Sequence, residues 1–392
     1  MVRALAGAVA LTTLVGSRLA AQDTTMVQGG IYQRPYLVGN ARTAVGGYVE
    51  GNTNYFVTDG VGDGFSMELR RFNVFFFSSV GRRIRFTSEL EFEHGAEEIV
   101  LETALVDFTV SPSLVLRGGI LLPPIGAFNV NHDSPRYDVV DRPLVSTEII
   151  PATLSEVGFG VHGRLAPRGF SVSYDAYLTN GLGDGIVTNP SGRTRLADGK
   201  SASRFEEDNN GSPAISARIG AQSRKWGEVG LSYYGGIYNT YRVEGVAVDR
   251  KRWLSVAALD VTTSLGSLDL RGEVARVTVD LPESLEELMG SRQWGAYLDA
   301  VLPLWRPTIR GLPNSVVSGV VRLERVDFNT GTFAATGLAR GDAIDAVTAG
   351  LAFRPAPGTV FRVNYRLTRA RDLAGNSPAK SAGFQFGFAT FF

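Results

Sequence analysis

Residues 83–93 read RIRFTSELEFE, a strict alternation. Ile84, Phe86, Leu90 and Phe92 share one side of an extended chain, while Arg85, Thr87, Glu89 and Glu91 share the other. Successive side chains of a strand point to opposite faces, so a period of two predicts a β-strand that is apolar on one face and polar on the other. The pattern recurs in residues 170–179 (FSVSYDAYLT), 215–222 (ISARIGAQ), 268–274 (LDLRGEV) and 360–368 (VFRVNYRLT), with Gly, Pro, Asn and Asp marking the ends.

Working outward from this stretch, strands are expected near 43–58, 66–80, 83–93, 99–111, 114–121, 157–165, 169–180, 213–223, 227–238, 251–264, 267–279, 292–302, 315–328, 342–354, 359–371 and 379–392. The count is sixteen, and even. Most of these segments have the length of a tilted strand that crosses a bilayer, whereas strands of soluble proteins average about 5–6 residues. Links after even-numbered strands are mostly tight, such as Gly81-Arg82, Pro112-Ser113 and Leu265-Gly266. Links after odd-numbered strands are mostly long: 122–156, 181–212, 239–250, 280–291 and 329–341. The fold class expected is therefore all-β, a transmembrane antiparallel β-barrel with short periplasmic turns and long external loops. All four Trp fall at strand ends. Trp226 and Trp305 lie on the short-turn side, Trp253 and Trp294 where strands descend from long loops, as expected of an aromatic girdle at the headgroups.

The composition agrees. The 392 residues are 44% hydrophobic and 20% charged, too apolar for disorder. Lys+Arg and Asp+Glu both number 39, so no net charge points to nucleic acid. Zero Cys excludes a disulfide scaffold, a thiolate metal site and a cysteine nucleophile. The three His, His94, His132 and His162, leave little for a histidine-based centre, and neither a metal nor a cofactor is expected. Two Gly-Asp stretches, 59–64 (DGVGDG) and 181–185 (GLGDG), lack the full ligand spacing and terminal Glu of a calcium loop and read as external turns. Lys occurs only at 200, 225, 251 and 380.

Residues 1–21 (MVRALAGAVALTTLVGSRLAA) have a basic start, a short apolar core and a small-residue exit, the pattern of an export signal. Residues 22–42 are then a periplasmic segment, too short for a plug domain, and 43–392 the barrel. The last stretch, 383–392 (GFQFGFATFF), puts Phe384, Phe386, Phe388 and Phe392 at even spacing. It is expected to close against the first strand and face lipid. It also resembles the terminal signal, carried here by Phe388 and Phe392, that the outer-membrane barrel assembly machinery reads.

Residues 68–80 (ELRRFNVFFFSSV) followed by 85–93 resemble the early double-arginine hairpin of the porin O/P family, the phosphate-selective porins. Residues 117–126 (RGGILLPPIG) resemble that family's strand-to-loop segment, and Asp141-Arg142-Pro143-Leu144 with 156–163 (EVGFGVHG) sit where the family resumes its barrel. The resemblance covers about 43–165. It implies a sixteen-stranded, homotrimeric outer-membrane barrel in which a long loop narrows the pore.

Alternation assigns the inward face. Expected pore-lining residues are Arg70, Arg85, Glu89, Glu91, Arg117, Arg164, Arg218, Arg271, Arg322, Arg362 and Arg366, with Glu68, Asp107, Asp175, Asp269, Glu273, Asp299 and Glu324 as further anions. Arg70-Arg71 breaks the alternation, so a bulge there decides which of the two points inward. The loop 122–156 carries five Pro and the charges Asp133, Arg136, Asp138, Asp141 and Arg142. Folded inward it sets the pore width, with those five as the constriction; folded outward it is a cap. The loop 181–212, rich in Gly, Asn, Ser and Asp, reads as mobile and external.

The function expected is a porin: passive diffusion of small polar or anionic solutes across the outer membrane. Phosphate is included by the resemblance, but the loop's arginines are matched by its aspartates, and an anion filter needs an excess of basic groups. Two alternatives compete. A barrel enzyme of the lipase or protease type needs a nucleophile system that the three His do not supply. A soluble secreted β-propeller needs a repeated blade motif that is not found.

Overall fold

The computed structural model describes residues 43–166, 169–200 and 204–392, so the export signal (1–21) and the periplasmic segment (22–42) lie outside the described residues. Sixteen long strands follow in order: β1 (Thr43–Thr58), β2 (Val61–Val80), β3 (Ile84–Glu93), β4 (Glu98–Ser111), β5 (Leu114–Leu121), β6 (Glu156–Leu165), β7 (Ser171–Thr179), β8 (Ala214–Ser223), β9 (Gly227–Ile237), β10 (Trp253–Leu265), β11 (Leu268–Val279), β12 (Arg292–Trp305), β13 (Val316–Asp327), β14 (Ala343–Ala356), β15 (Thr359–Arg371) and β16 (Ala379–Phe391). Each pairs antiparallel with its sequence neighbours, and β16 returns to β1, closing the barrel. This is not a propeller. A two-residue hairpin, Arg242–Val243 with Val246–Ala247, stands apart in the loop after β9.

The strands expected from alternation all occur, and the largest difference is at the start of β2. Asp59 and Gly60 adopt φ of 50° and 89°, which lets a two-residue turn join β1 directly to Val61. Asp-Gly is the sequence most suited to that turn, so the link expected over 59–65 is mostly strand.

The outward face is greasy. Phe65, Met67, Leu351, Phe361, Phe384 and Phe386 are exposed on the barrel exterior, where a soluble protein would aggregate and a membrane barrel meets acyl chains. The closing strand follows the expected pattern. Phe384, Phe386 and Phe388 point outward, and Tyr365 packs edge-on against Phe384 with centroids 4.8 Å apart. At the short-turn end Phe392 exchanges backbone hydrogen bonds with Gly47 and stacks on Phe72. Trp226, Trp253 and Trp305 are exposed at the rims, and Trp294 is half-buried beside the outward-facing Arg325.

Two bulges add charge to the interior. In the β1–β2 pair Glu50 faces Arg71 and Gly51 faces Leu69, so Arg70 is the extra residue. Both arginines turn inward: Arg70 reaches Asp141 at 3.2 Å, and Arg71 reaches Glu50 at 3.1 Å and Glu93 at 2.8 Å. In the β3–β4 pair Glu89 faces Thr103 and Leu90 faces Leu101, which makes Glu102 the extra residue, also buried inside.

The interior departs from expectation on one side. The inner face of β9 to β13 near the long loops is apolar, built from Tyr234, Val256, Ala258, Ala275, Val277 and Val326. Ile149 and Leu154 from the long loop pack on it, together with Leu182, Ile186 and Leu196 from the loop after β7. That second loop, expected to be mobile and external, is thus tucked into the barrel mouth over its described residues. Three isolated apolar residues in a Gly- and Asn-rich stretch were too sparse to form a pattern, but each meets a partner that exists only in the closed barrel.

Candidate pore constriction

Residues 122–155 leave β5 and cross the lumen. The crossing begins at Gly126, whose φ of +65° favours glycine and where a Cβ would displace the Glu273 carboxylate. Its N–H donates to Ser232 Oγ at 2.8 Å, and the N–H groups of Ala127 and Phe128 donate to Glu273 Oε2 at 2.9 and 3.2 Å. Asn129 ties the two ends of the loop together. Its Nδ2 donates to the carbonyls of Pro123 (2.8 Å) and Leu154 (3.2 Å), and its Oδ1 accepts from Leu154 N–H at 2.8 Å.

The opposite wall then grips the chain with arginines. Arg354 donates to Asp138 Oδ1 (2.9 Å) and to the carbonyls of Pro135 (2.7 Å) and Tyr137 (3.1 Å). Arg362 donates to Ser134 Oγ (2.9 Å) and Val139 O (3.0 Å), and Arg271 to Arg136 O (3.0 Å). Arg322 holds Asp299 through two nitrogens at 2.5 and 2.7 Å and donates its third to Asp141 O at 2.7 Å. The Asp141 carboxylate accepts from Arg366 (2.7 Å), Arg70 (3.2 Å) and Gln385 (2.6 Å). Burial opposes ionisation of Asp141 and Asp138, but the surrounding guanidiniums, Arg366 and Arg70 for the first and Arg354 for the second, hold both carboxyls below the usual range. Past Leu144, whose N–H donates to Glu324 at 2.7 Å, one wide helical turn, Val145–Ile149, packs on the apolar wall.

The five loop residues singled out in the sequence are brought inside, in different roles. Asp138 and Asp141 are bound to wall arginines. Asp133 and Arg136 pair with each other at 3.1 Å, and Arg142 turns back onto Thr153 Oγ1 at 3.2 Å. Among the wall residues, Arg322 and Arg362 face inward but lie beneath the loop, at 1% and 4% exposure, so they anchor it and do not meet a water column. Arg366 and Arg271 do the same from less deeply buried positions. Arg218 bridges Asp260 (2.7 Å) and Glu228 (3.1 Å), and Arg117 clamps Asp107 through two bonds of 2.7 and 2.8 Å. Glu89 and Glu91 accept from Asn73 at 2.7 and 3.4 Å. Arg85 and Arg164 are exposed near the short turns. Arg354 is a central residue that was not singled out. Alternation through Ala352 places it inward, at the end of the strand expected over 342–354.

On the short-turn side of the loop lies a cavity of about 180 Å³, lined in part by Arg136, Asp138, Asp269, Arg271 and Arg354. Three cations and two anions thus face this space.

Comparison with solved structures places this geometry. An anion-selective porin from Comamonas acidovorans superposes over 89% of this chain and 99% of its own, with a TM-score of 0.54 at 12% identity. OmpF of Salmonella typhi, solved with daunomycin, covers 89% and 97% with a TM-score of 0.55 at 10% identity. The trimer form of OmpT, an outer membrane protein of Vibrio cholerae, covers 90% and 100% with a TM-score of 0.52 at 10% identity. The fold is that of the outer-membrane porins. No family model matches the chain, and the narrower likeness to the phosphate-selective porins has no such support. An uncharacterised protein of Aquifex aeolicus is 36% identical over 146 residues, 36% of this chain. The match spans about a third of that relative's length, 32%.

Proposed function

We propose that this chain is an outer-membrane porin, a passive channel for small polar or anionic solutes whose bore is set by residues 122–155. The observation that carries the reading is the loop itself, threaded through a closed, lipid-faced barrel and held by wall arginines, with Arg136, Asp138, Asp141 and their partners at the narrowing. The slight excess of arginine around the cavity favours anions weakly, and the paired aspartates argue against a dedicated phosphate filter. Passive conduction is favoured over barrel enzymology because the contacts of the three His are with carboxylates, His94 with Glu68, His132 with Glu102 and His162 with Asp107, and no serine hydroxyl is hydrogen-bonded to any of them among the described residues. Assembly by the barrel assembly machinery through Phe388 and Phe392, and a homotrimeric state, belong to the same proposal.

Single-channel recording in planar bilayers tests it. The expected result is discrete conductance steps with a mild anion preference in the reversal potential. Arg136→Ala, which removes a cation from the cavity, shifts that potential towards cations. A folded barrel that conducts nothing overturns the reading.

A further inference from the structure

We propose that the short turns at the periplasmic rim bind the headgroups of anionic phospholipids, with Arg224 and Lys225 between β8 and β9 as the principal site. The inference rests on the placement of the barrel in the outer membrane and not on what the channel conducts.

Charge is divided between the two rims. The described short turns carry Arg82 and Arg83 between β2 and β3, Arg224 and Lys225 between β8 and β9, and Arg306 and Arg310 between β12 and β13. No Asp or Glu stands among the described residues of these turns. The long loop 280–291, by contrast, holds Asp280, Glu283, Glu286 and Glu287 with no Lys or Arg. Basic and acidic residues are equal in number over the chain, so the one-sided turns are a matter of placement and not of composition. All the turn cations are exposed, and among the described residues none of their side chains has an ion pair or hydrogen bond. Inside the barrel arginines are paired instead, as Arg218 is with Asp260 and Arg322 with Asp299.

Each basic turn adjoins side chains that face the acyl chains. Val80 and Ile84 flank Arg82 and Arg83, Leu304 and Trp305 precede Arg306, and all four are exposed. At the β8–β9 turn Trp226 meets Phe170 edge-on with ring centroids 6.0 Å apart, and both rings are exposed. A rim Trp sits among the headgroups, which puts the adjoining Arg224 and Lys225 at the level of the phosphates. A free anion would pair with these cations and leave the rings uncovered. A zwitterionic headgroup would bring its own cation to the same place. An anionic phospholipid offers a phosphate to Arg224 and Lys225 and an acyl chain to Trp226 and Phe170. The three basic turns are also spread around the rim, which a single small anion cannot bridge and a leaflet surrounds.

The test uses the full-length folded chain in nonionic detergent, titrated with phosphatidylglycerol or phosphatidylcholine carrying brominated chains, which quench nearby tryptophan. The part of the quenching lost in Trp226→Phe reports this turn. There phosphatidylglycerol is expected to bind about 10-fold tighter or more at low salt, since each Lys or Arg near an anionic surface strengthens the attraction about 5-fold. Salt at about 1 M should erase the preference. Arg224→Gln combined with Lys225→Gln, both at exposed positions, should bring the two lipids to within about 2-fold of each other. Inorganic phosphate at the concentration of the lipid should leave the quenching unchanged. Wild-type protein that binds both lipids equally overturns the site, whatever the variants do. A folded double variant that keeps the full preference overturns it too, and displacement of phosphatidylglycerol by inorganic phosphate assigns the turn to a free anion and overturns the lipid.

Discussion

The inserted loop meets two different walls. From β13 round to β4 it is met by charge, with Arg322, Arg354, Arg362 and Arg366 reaching its carbonyls and carboxylates. From β9 to β13, nearer the long loops, it is met by Val256, Ala275, Val277 and Val326, against which Ile149 and Leu154 pack. The outward faces of both walls are equally apolar, because both meet acyl chains. Only the inward faces differ, and they differ in what they can do. Guanidiniums fix the loop's backbone directionally and place charge beside the cavity. Aliphatic side chains exclude water and carry no register information. The charged wall therefore positions the inserted loop, and the apolar wall closes dry against it.

The two walls break differently. Arg322→Ala removes a fully buried guanidinium that serves Asp299 and Asp141 O together, and it leaves the Asp299 carboxylate buried and unpaired. Losses of this kind run to about 3–5 kcal/mol. Chemical unfolding of the vesicle-folded barrel should show a loss of that size together with larger, noisier conductance. A variant as stable and as quiet as wild type would mean that the charged wall does not hold the loop. On the other wall, Ile149→Ala opens a cavity in the apolar cluster and should cost about 2–4 kcal/mol. Its effect should be independent of salt and should leave the reversal potential unchanged, unlike Arg136→Ala. Gly126→Ala tests the point where the crossing starts. A methyl group there sits at a left-handed φ of +65° and pushes aside the Glu273 carboxylate, and the strain should cost about 1–3 kcal/mol in the same unfolding assay.

How much of this was legible differs between the walls in the same way. The sixteen strands were readable because a membrane imposes alternation on every one of them, and the bilayer is present whatever the lumen contains. The charged inner wall followed by parity, which placed Arg322, Arg362 and Arg366 correctly inward. At Arg70-Arg71 the broken alternation marked the bulge but not that both arginines turn inward, and at Glu102 parity failed, because the bulge there inserts an extra residue and turns it in as well. The shift at Glu102 leaves no mark in its own strand's pattern, because it belongs to the pair. The apolar inner wall was illegible for a related reason: residues 254–259 (LSVAAL) carry small or aliphatic residues on both faces, and in 274–279 (VARVTV) Arg276 lies on the outward face, so alternation could not say that the lumen side would be dry. The loop's insertion was visible only as length, proline content and paired charge. Its anchors are scattered over eight strands, and only the closed barrel brings them together.

The smallest expected effect is the most specific to the charged wall. Asp141 and Asp138 are held below the usual carboxyl range in the folded chain, so the stability they contribute is complete above the unfolded value of about 3.9 and is lost as pH falls through the depressed folded values. Unfolding of wild-type barrel compared at pH 7 and pH 3 should show this loss beginning only below about pH 4. Asp141→Asn should remove part of the slope, and only part, because the Asp141 side chain remains 24% exposed and Asp138 titrates independently against Arg354. Ile149→Ala, on the other wall, should shift the whole curve down without changing its slope. If Asp141→Asn and Ile149→Ala alter the pH profile alike, the two walls are coupled through the loop. The division between a wall that positions and a wall that seals would then be abandoned.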